Sequence, residues 1–364
     1  MRARPHSLQL VAAALAVLVP AACSAGPATS PQPSATASRK ASSSPAASTG
    51  VTTPHAQKLV VDTDLAPDDL VALSFLLSAP GVEVVAITVS GTGEVQCPQG
   101  DAVALGLLER LGAPQIPVAC GRDTPLAGDH AFPDAWREAA DEGSALALPE
   151  TARVPYNGTA TALISRVAEE DPGLAVLTLG PLTNLAEALQ ADSSLAGRLG
   201  QVTVMGGALR VPGNILGPGA PSGNGVAEWN IYVDPHAAAV VVASGLQPRL
   251  VSLDGTSQVP VTTAFAQQVA SKASAPGAKV LADLFATHPF MTDGTYYLWD
   301  PLAAELAAGY SVGTFSAATV TIEEADGPES GFTRPTDGPA NVTYLSTADR
   351  ASAEETLLTT LNGS

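Results

Sequence analysis

Four carboxylates fall within eight residues in Asp62-Thr-Asp64-Leu-Ala-Pro-Asp68-Asp69, directly after the apolar run Leu59–Val61. Carboxylates crowded at the mouth of a buried strand lose hydration and repel one another, so they require a compensating cation. Every donor in the stretch is an oxygen and no His or Cys is adjacent, which selects a hard ion, Ca2+ or Mg2+. The spacing is not that of an EF-hand, because Leu65 and Ala66 fall where that loop continues with ligands and Gly. The plainer alternative is a charged helix start, with Pro67 in the first turn and Asp68 and Asp69 facing its positive end. That alternative accounts for one or two of the aspartates and leaves the others unexplained.

Placing such a cluster needs a strand that ends beside it. The runs Leu59–Val61, Val82–Val89, Leu174–Leu179, Val202–Met205 and Leu250–Leu253 are apolar on consecutive positions and each leads into a Gly- or Asp-containing loop. Strands buried on both faces have this texture. Helical patterns lie between them, among them Asp69–Leu77, Asp101–Leu111, Ala160–Glu170 and Asn184–Leu189. The alternation predicts an α/β fold, a mainly parallel central sheet flanked by helices, in a single catalytic domain over 57–364. Ligands in such sheets bind beyond the carboxyl ends of the strands.

The chain has 364 residues, 46% of them hydrophobic, and a net charge of −18. The apolar content excludes a wholly disordered protein, and the acidity argues against nucleic acid as a partner. Three cysteines supply neither a disulfide scaffold nor a four-thiolate zinc site. Free buried thiols are expected for Cys97 and Cys120, with a disulfide as the alternative outside the cytoplasm. Residues 1–22 have the form of an export signal: Arg2 and Arg4 precede the apolar run Leu8–Val19. Ala21-Ala22-Cys23 resembles a bacterial lipobox, although Pro20 stands where that motif prefers an aliphatic residue. Residues 23–56, almost all Ser, Thr, Pro, Ala and Gly, read as a flexible tether. The expected location is therefore outside the cytoplasm, as a lipoprotein held through Cys23 or as a secreted protein. A membrane is expected to be touched only through that lipid, and a homo-oligomer is left open.

The aspartate stretch resembles the N-terminal signature of the calcium-dependent nucleoside hydrolases, Asp-x-Asp-Pro-Gly-x-Asp-Asp. Four further segments follow in the family's order. Leu177-Thr-Leu179-Gly-Pro-Leu-Thr-Asn184 is similar to its second calcium segment, and Met205-Gly-Gly207 to its Met-Gly-Gly turn. Ala227-Glu228-Trp-Asn230-Ile-Tyr-Val-Asp234-Pro235 resembles its Ala-Glu-Phe-Asn stretch, and Trp299-Asp300-Pro301 its final Asp-Pro. The resemblance implies hydrolysis of the N-glycosidic bond of a ribonucleoside, a small-molecule substrate. Asp64, Asp69, Asp300 and the carbonyl of Leu179 would be Ca2+ ligands, with Asp64 also the general base toward water. Asp68 would accept the ribose 2′ and 3′ hydroxyls, Asn230 would meet the 3′ side and Glu228 the 5′ hydroxyl. Asn214 resembles another ribose-contacting Asn, with Asn224 as its rival because an insertion separates the two.

For base recognition the resemblance is to the purine-preferring branch. Phe132-Pro-Asp-Ala-Trp136-Arg137 resembles its Phe-Pro-x-x-Trp segment, and Trp299 stands where other branches carry a His. Trp136 and Trp299 would then stack on the base, against a plain reading as core aromatics. Two departures stand out. Leu65-Ala66 replaces the signature's Pro-Gly, and the family's ribose-side Asn is missing from Gly91-Thr-Gly-Glu94-Val-Gln-Cys97, leaving Glu94 or Cys97 in its space. His130 reads as a loop residue rather than a proton donor. Two competing readings remain: a haloacid-dehalogenase-like phosphatase with Asp62 as nucleophile, and a tethered nucleoside-binding lipoprotein without hydrolase activity.

Overall fold

The computed structural model describes residues 56–363. The export signal, Cys23 and the tether up to residue 55 lie outside the described residues. The parallel core is built from β1 (Gln57–Thr63), β2 (Val82–Val89), β3 (Val118–Cys120), β4 (Leu174–Thr178), β5 (Leu199–Met205) and β6 (Arg249–Val251). Three later strands follow, β7 (Gly313–Ile322), β8 (Thr333–Thr336) and β9 (Val342–Ala348). Among the described residues they form one sheet in the order β3-β2-β1-β4-β5-β6-β9-β7-β8. β9 joins β6 in parallel, whereas β7 runs antiparallel to β9 and β8 to β7. The predicted α/β class is the one observed.

The consecutive apolar runs are explained by two core layers. Leu59 and Val61 enter one layer with Leu70, Leu73 and Phe75 of the helix Pro67–Ser78. Val60 enters the other with Leu163 and Ile164 of the helix Ala160–Glu170. Successive strand residues point to opposite faces, and here both faces are dry. Each fully buried Leu or Val contributes roughly 1.5–3 kcal/mol of transfer free energy, so packing on both sides holds β1 at the centre.

Two expectations are corrected. The strand predicted over Leu250–Leu253 stops at Val251, and Leu253 opens the helical turn Leu253–Thr256. Asp254 in that turn accepts the backbone N–H groups of Leu209 and Arg210, each at 2.9 Å, which pulls the chain out of the sheet. Cys97 and Cys120 are joined in a disulfide rather than free, with Cα atoms 6.0 Å apart. The register sets Cys120 beside Val89 at the end of β2, and the loop leaving β2 brings Cys97 back over that strand end. Spacing along the chain carried no trace of this return.

Candidate active site

β1 delivers the first carboxylates because it ends where its apolar residues end. Asp62 is buried at the sheet, its Oδ1 accepting from Thr88 Oγ1 at 2.6 Å and Asn184 Nδ2 at 2.7 Å. This enclosure, without access to solvent, removes the phosphatase reading that needed Asp62 as a nucleophile. Asp68 and Asp69 lie in the first turn of the helix Pro67–Ser78, and Asp300 in the first turn of the helix Trp299–Ala307, which packs against it. One oxygen from each of Asp68, Asp69 and Asp300 lies within 4.8 Å of the other two, and all three side chains are buried. Asp69 Oδ1 accepts from the Thr63 hydroxyl and from the Asp64 N–H, while its Oδ2 is buried without a partner.

Among the described residues, no Lys, Arg or His forms an ion pair with any of these carboxylates. Burial first, and then the neighbouring Asp69, push the Asp68 carboxyl up to about 7. Burial, then Asp69 and Asp68, hold Asp300 well above the usual carboxylate range. Asp64 is raised well above it too, by burial and then by Asp69 and Glu94. Groups so placed either hold protons at neutral pH or face a cation. The all-oxygen donor set, the partnerless Asp69 oxygen and the three convergent carboxylates fit a hard divalent ion.

The grouping differs from the expected ligand set in one respect. Asp68 completes the tight trio, whereas Asp64 stands beside it with Oδ2 accepting the Glu94 N–H at 3.1 Å. The loop after β2 is folded down onto Asp64, and the backbone at Gly93 and Gly180 leaves no space for a Cβ against that side chain. Glu94 is half-buried on this loop and is pushed up to about 8 by burial, then by Asp68 and Asp69. It is a fifth carboxylate in the field of the cluster. Leu65 takes a φ of 57°, a left-handed conformation closed to Pro, whose ring fixes φ near about −65°. The chain between Asp64 and Pro67 therefore follows a path that the Pro-Gly signature does not.

The carbonyl of Leu179, just past β4, accepts from Asn230 Nδ2 at 2.6 Å and keeps a second lone pair. The same amide reaches the Met205 carbonyl at 3.2 Å, so the Asn230 NH2 is used, and its Oδ1 has no donor among the described residues. Glu228 is more constrained than expected. Its carboxylate caps the helix Trp229–Val233 through Asn230 N at 2.9 Å and Ile231 N at 3.1 Å, and also takes Gly207 N at 3.1 Å. Burial raises Glu228 to about 7 against these backbone donors. Asn214 presents its Oδ1 to Trp229 N at 3.0 Å, with no acceptor for its NH2 among the described residues. Its rival Asn224 is buried and spends both ends of its amide on backbone groups, its Nδ2 on the Ser330 carbonyl and its Oδ1 on the N–H groups of Val226 and Ala227.

The two expected base-stacking residues belong to separate aromatic groups, both half-buried. Trp136 lies 5.4 Å from Trp229 and 6.2 Å from Phe132 between ring centroids. Trp299 lies 4.6 Å from Tyr296 edge-to-face and 5.5 Å from Tyr297. Tyr296 was not anticipated: its hydroxyl donates to Asp68 Oδ1 at 2.8 Å, tying the Trp299 group to the carboxylates. The sole signal for it was its place three residues before Trp299.

The family model described as "Inosine-uridine preferring nucleoside hydrolase" matches residues 59–355. The chain is 36% identical over 211 residues to a probable uridine nucleosidase of Oryza sativa subsp. japonica, covering 57% of this chain and 60% of that protein's length. It is similar to the solved structure of a plant nucleoside hydrolase, with a TM-score of 0.75, 29% identity and coverage of 84% of this chain and 99% of the other. It is also similar to a purine-preferring ribonucleoside hydrolase from Gardnerella vaginalis, with a TM-score of 0.73, 27% identity and coverage of 84% and 98%.

Proposed function

Because the chain belongs to the inosine-uridine preferring nucleoside hydrolase family, we propose that it hydrolyses the N-glycosidic bond of ribonucleosides to free base and ribose. The observation that supports this most directly is the buried trio Asp68, Asp69 and Asp300 with Asp64 beside it and, among the described residues, no ion-paired Lys, Arg or His. Asp64, Asp69, Asp300 and the Leu179 carbonyl would hold Ca2+. Bound there, the ion supplies positive charge that offsets the carboxylates and makes nearby water more acidic. Asp64 takes a proton from the attacking water as that oxygen adds to the anomeric carbon and the bond to the base opens. Asp68, oriented through Tyr296, accepts the 2′ and 3′ hydroxyls. Asn230 meets the 3′ side through its unengaged Oδ1, and Asn214 has its NH2 available for the ribose. Glu228 retains lone pairs for the 5′ hydroxyl beyond those its backbone partners use.

Purine preference rests on Trp136 and Trp299, half-buried aromatic faces able to stack on a bicyclic base. The names of the sequence relatives lean toward uridine and the Gardnerella structure is named for purines, so purine preference stands on the two tryptophans against that lean. The Cys97–Cys120 disulfide supports an extracytoplasmic location, because such bonds persist in oxidising compartments. The test is to incubate the protein with inosine, guanosine, uridine and cytidine, with Ca2+ or with a chelator, and quantify free ribose. Release in Ca2+, its loss in chelator and a higher kcat/KM for inosine than for uridine are expected. Ligand bound but unchanged in all cases would favour the non-hydrolytic binding protein instead.

A further inference from the structure

Arg137 follows Trp136 on the helix Asp134–Asp141 and is buried there. Burying a guanidinium is costly unless its charge and its donors are met. Among the described residues no carboxylate forms an ion pair with it. Its donors go instead to one short stretch of backbone. Nη2 donates to the Gly91 carbonyl at 2.9 Å, and Nη1 reaches the Thr92 carbonyl at 3.4 Å. The planar fork of a guanidinium suits two carbonyls in succession, which a point-like ammonium does not. One turn further on, Asp141 accepts from the same loop, its Oδ1 from Gln96 N at 2.7 Å and its Oδ2 from Gln96 Nε2 at 2.8 Å. Residues four apart share a helix face, so Arg137 and Asp141 fasten the loop from one side of the helix.

Between these two fastenings the loop meets Asp64. Gly93 packs so closely that a Cβ there would fall 2.2 Å from Asp64 Oδ2. The Glu94 N–H donates to Asp64 Oδ2 at 3.1 Å, and the Val95 N–H to the Asp64 carbonyl at 3.0 Å. With Oδ2 engaged, Oδ1 is the carboxylate oxygen that takes no N–H or hydroxyl donor among the described residues. We propose that Arg137 is a positioning residue for the hydrolysis: through the Gly91 and Thr92 carbonyls it holds the loop against Asp64, so that one carboxylate oxygen is fixed and the other is left for water. This rests on the reading of Asp64 as the general base. The same helix carries Trp136, so a single element aligns the base-stacking face and the reacting carboxylate.

The test compares kcat and KM for inosine and uridine, in Ca2+, between the full chain and two variants. Arg137→Met keeps the apolar stem and removes the donors. Asp141→Ala, at a half-buried position, cuts the other fastening and decides the matter if the first variant does not fold. Arg137→Met is expected to lower kcat by about tenfold to a hundredfold, by the same factor for both nucleosides. Asp141→Ala lowers it in the same even way by less, and hydrogen exchange at residues 91–97 rises in both variants. A loss confined to KM, or one that falls on inosine far more than on uridine, would show that the helix merely props up Trp136 and overturns the proposal. Unchanged exchange in the loop overturns it as well. A wild type that releases ribose from neither nucleoside defeats the hydrolase reading instead, and faster loop exchange in the variants then still upholds the tether to Asp64.

Discussion

Removing the cation from the carboxylate cluster makes stability fall as pH rises. Two unit charges no more than 4.8 Å apart repel by about 3.5 kcal/mol or more at an effective dielectric constant of about 20. Three such pairs approach roughly 10 kcal/mol, comparable with the whole stability of a domain, about 5–15 kcal/mol. Without a cation the folded protein therefore keeps protons on the cluster. Asp68 sits at about 7 against its ordinary 3.8 and Glu94 at about 8 against 4.5. The unfolded chain releases these protons near about pH 4, so the stabilisation is complete below that value and is lost as pH rises through the folded values. Asp68 alone accounts for roughly 4 kcal/mol across the window, or about 10 °C in Tm for a domain of this size. The assay is thermal unfolding at about pH 5 and about pH 8, in chelator and in excess Ca2+. Tm in chelator is expected to be lower at the higher pH, and Ca2+ to raise Tm more there. The Asp300→Asn variant, with one charge fewer, should show a shallower decline. A chelated Tm unchanged between the two pH values, or a Ca2+ gain larger at the acidic one, would refute the reasoning.

Other expectations follow from individual side chains. Asp64→Asn removes the proposed base and should lower kcat by about two to four orders of magnitude; near-wild-type turnover contradicts its role. Trp136→Ala should reduce kcat/KM for inosine more than for uridine, and equal losses would withdraw the purine argument. Reducing the Cys97–Cys120 bond opens a loop closed over a separation of 23 residues and should cost about 3 kcal/mol in denaturant unfolding. A raised KM should accompany it, since the loop delivers the Glu94 N–H to Asp64. Glu305 is fully buried with both carboxyl oxygens partnerless, and burial holds it well above the ordinary range. Glu305→Met should raise stability by roughly 1–3 kcal/mol, the gain growing with pH. An unchanged or lower stability would mean the carboxyl has a partner.

Legibility in the sequence followed the distance over which each feature is decided. The stretch Asp62 to Asp69 was readable because the buried strand and its terminal carboxylates are neighbours in the chain, and hydration cost makes their crowding conspicuous. Asp300 was readable only through the resemblance. Taken alone, an Asp before Pro301 is an ordinary helix start, and its partners lie at the other end of the chain. Tyr296 shows the same limit from the other side: its bond to Asp68 spans 228 residues, and nothing local marks a tyrosine as a carboxylate donor. The β7–β9 edge was missed because its side chains are half-exposed, so no continuous apolar run announces it. Glu228 illustrates a subtler gap. Its position in the motif was recognised, yet three backbone N–H groups converge on it, and a cap of that kind depends on where the chain turns after β5. Sequence pattern thus locates the charges, while the backbone amides and hydroxyls that hold them become known only once the strands are side by side. The chemistry of this site depends on those partners, because they determine which carboxylate oxygens are left free to meet a cation or a ribose hydroxyl.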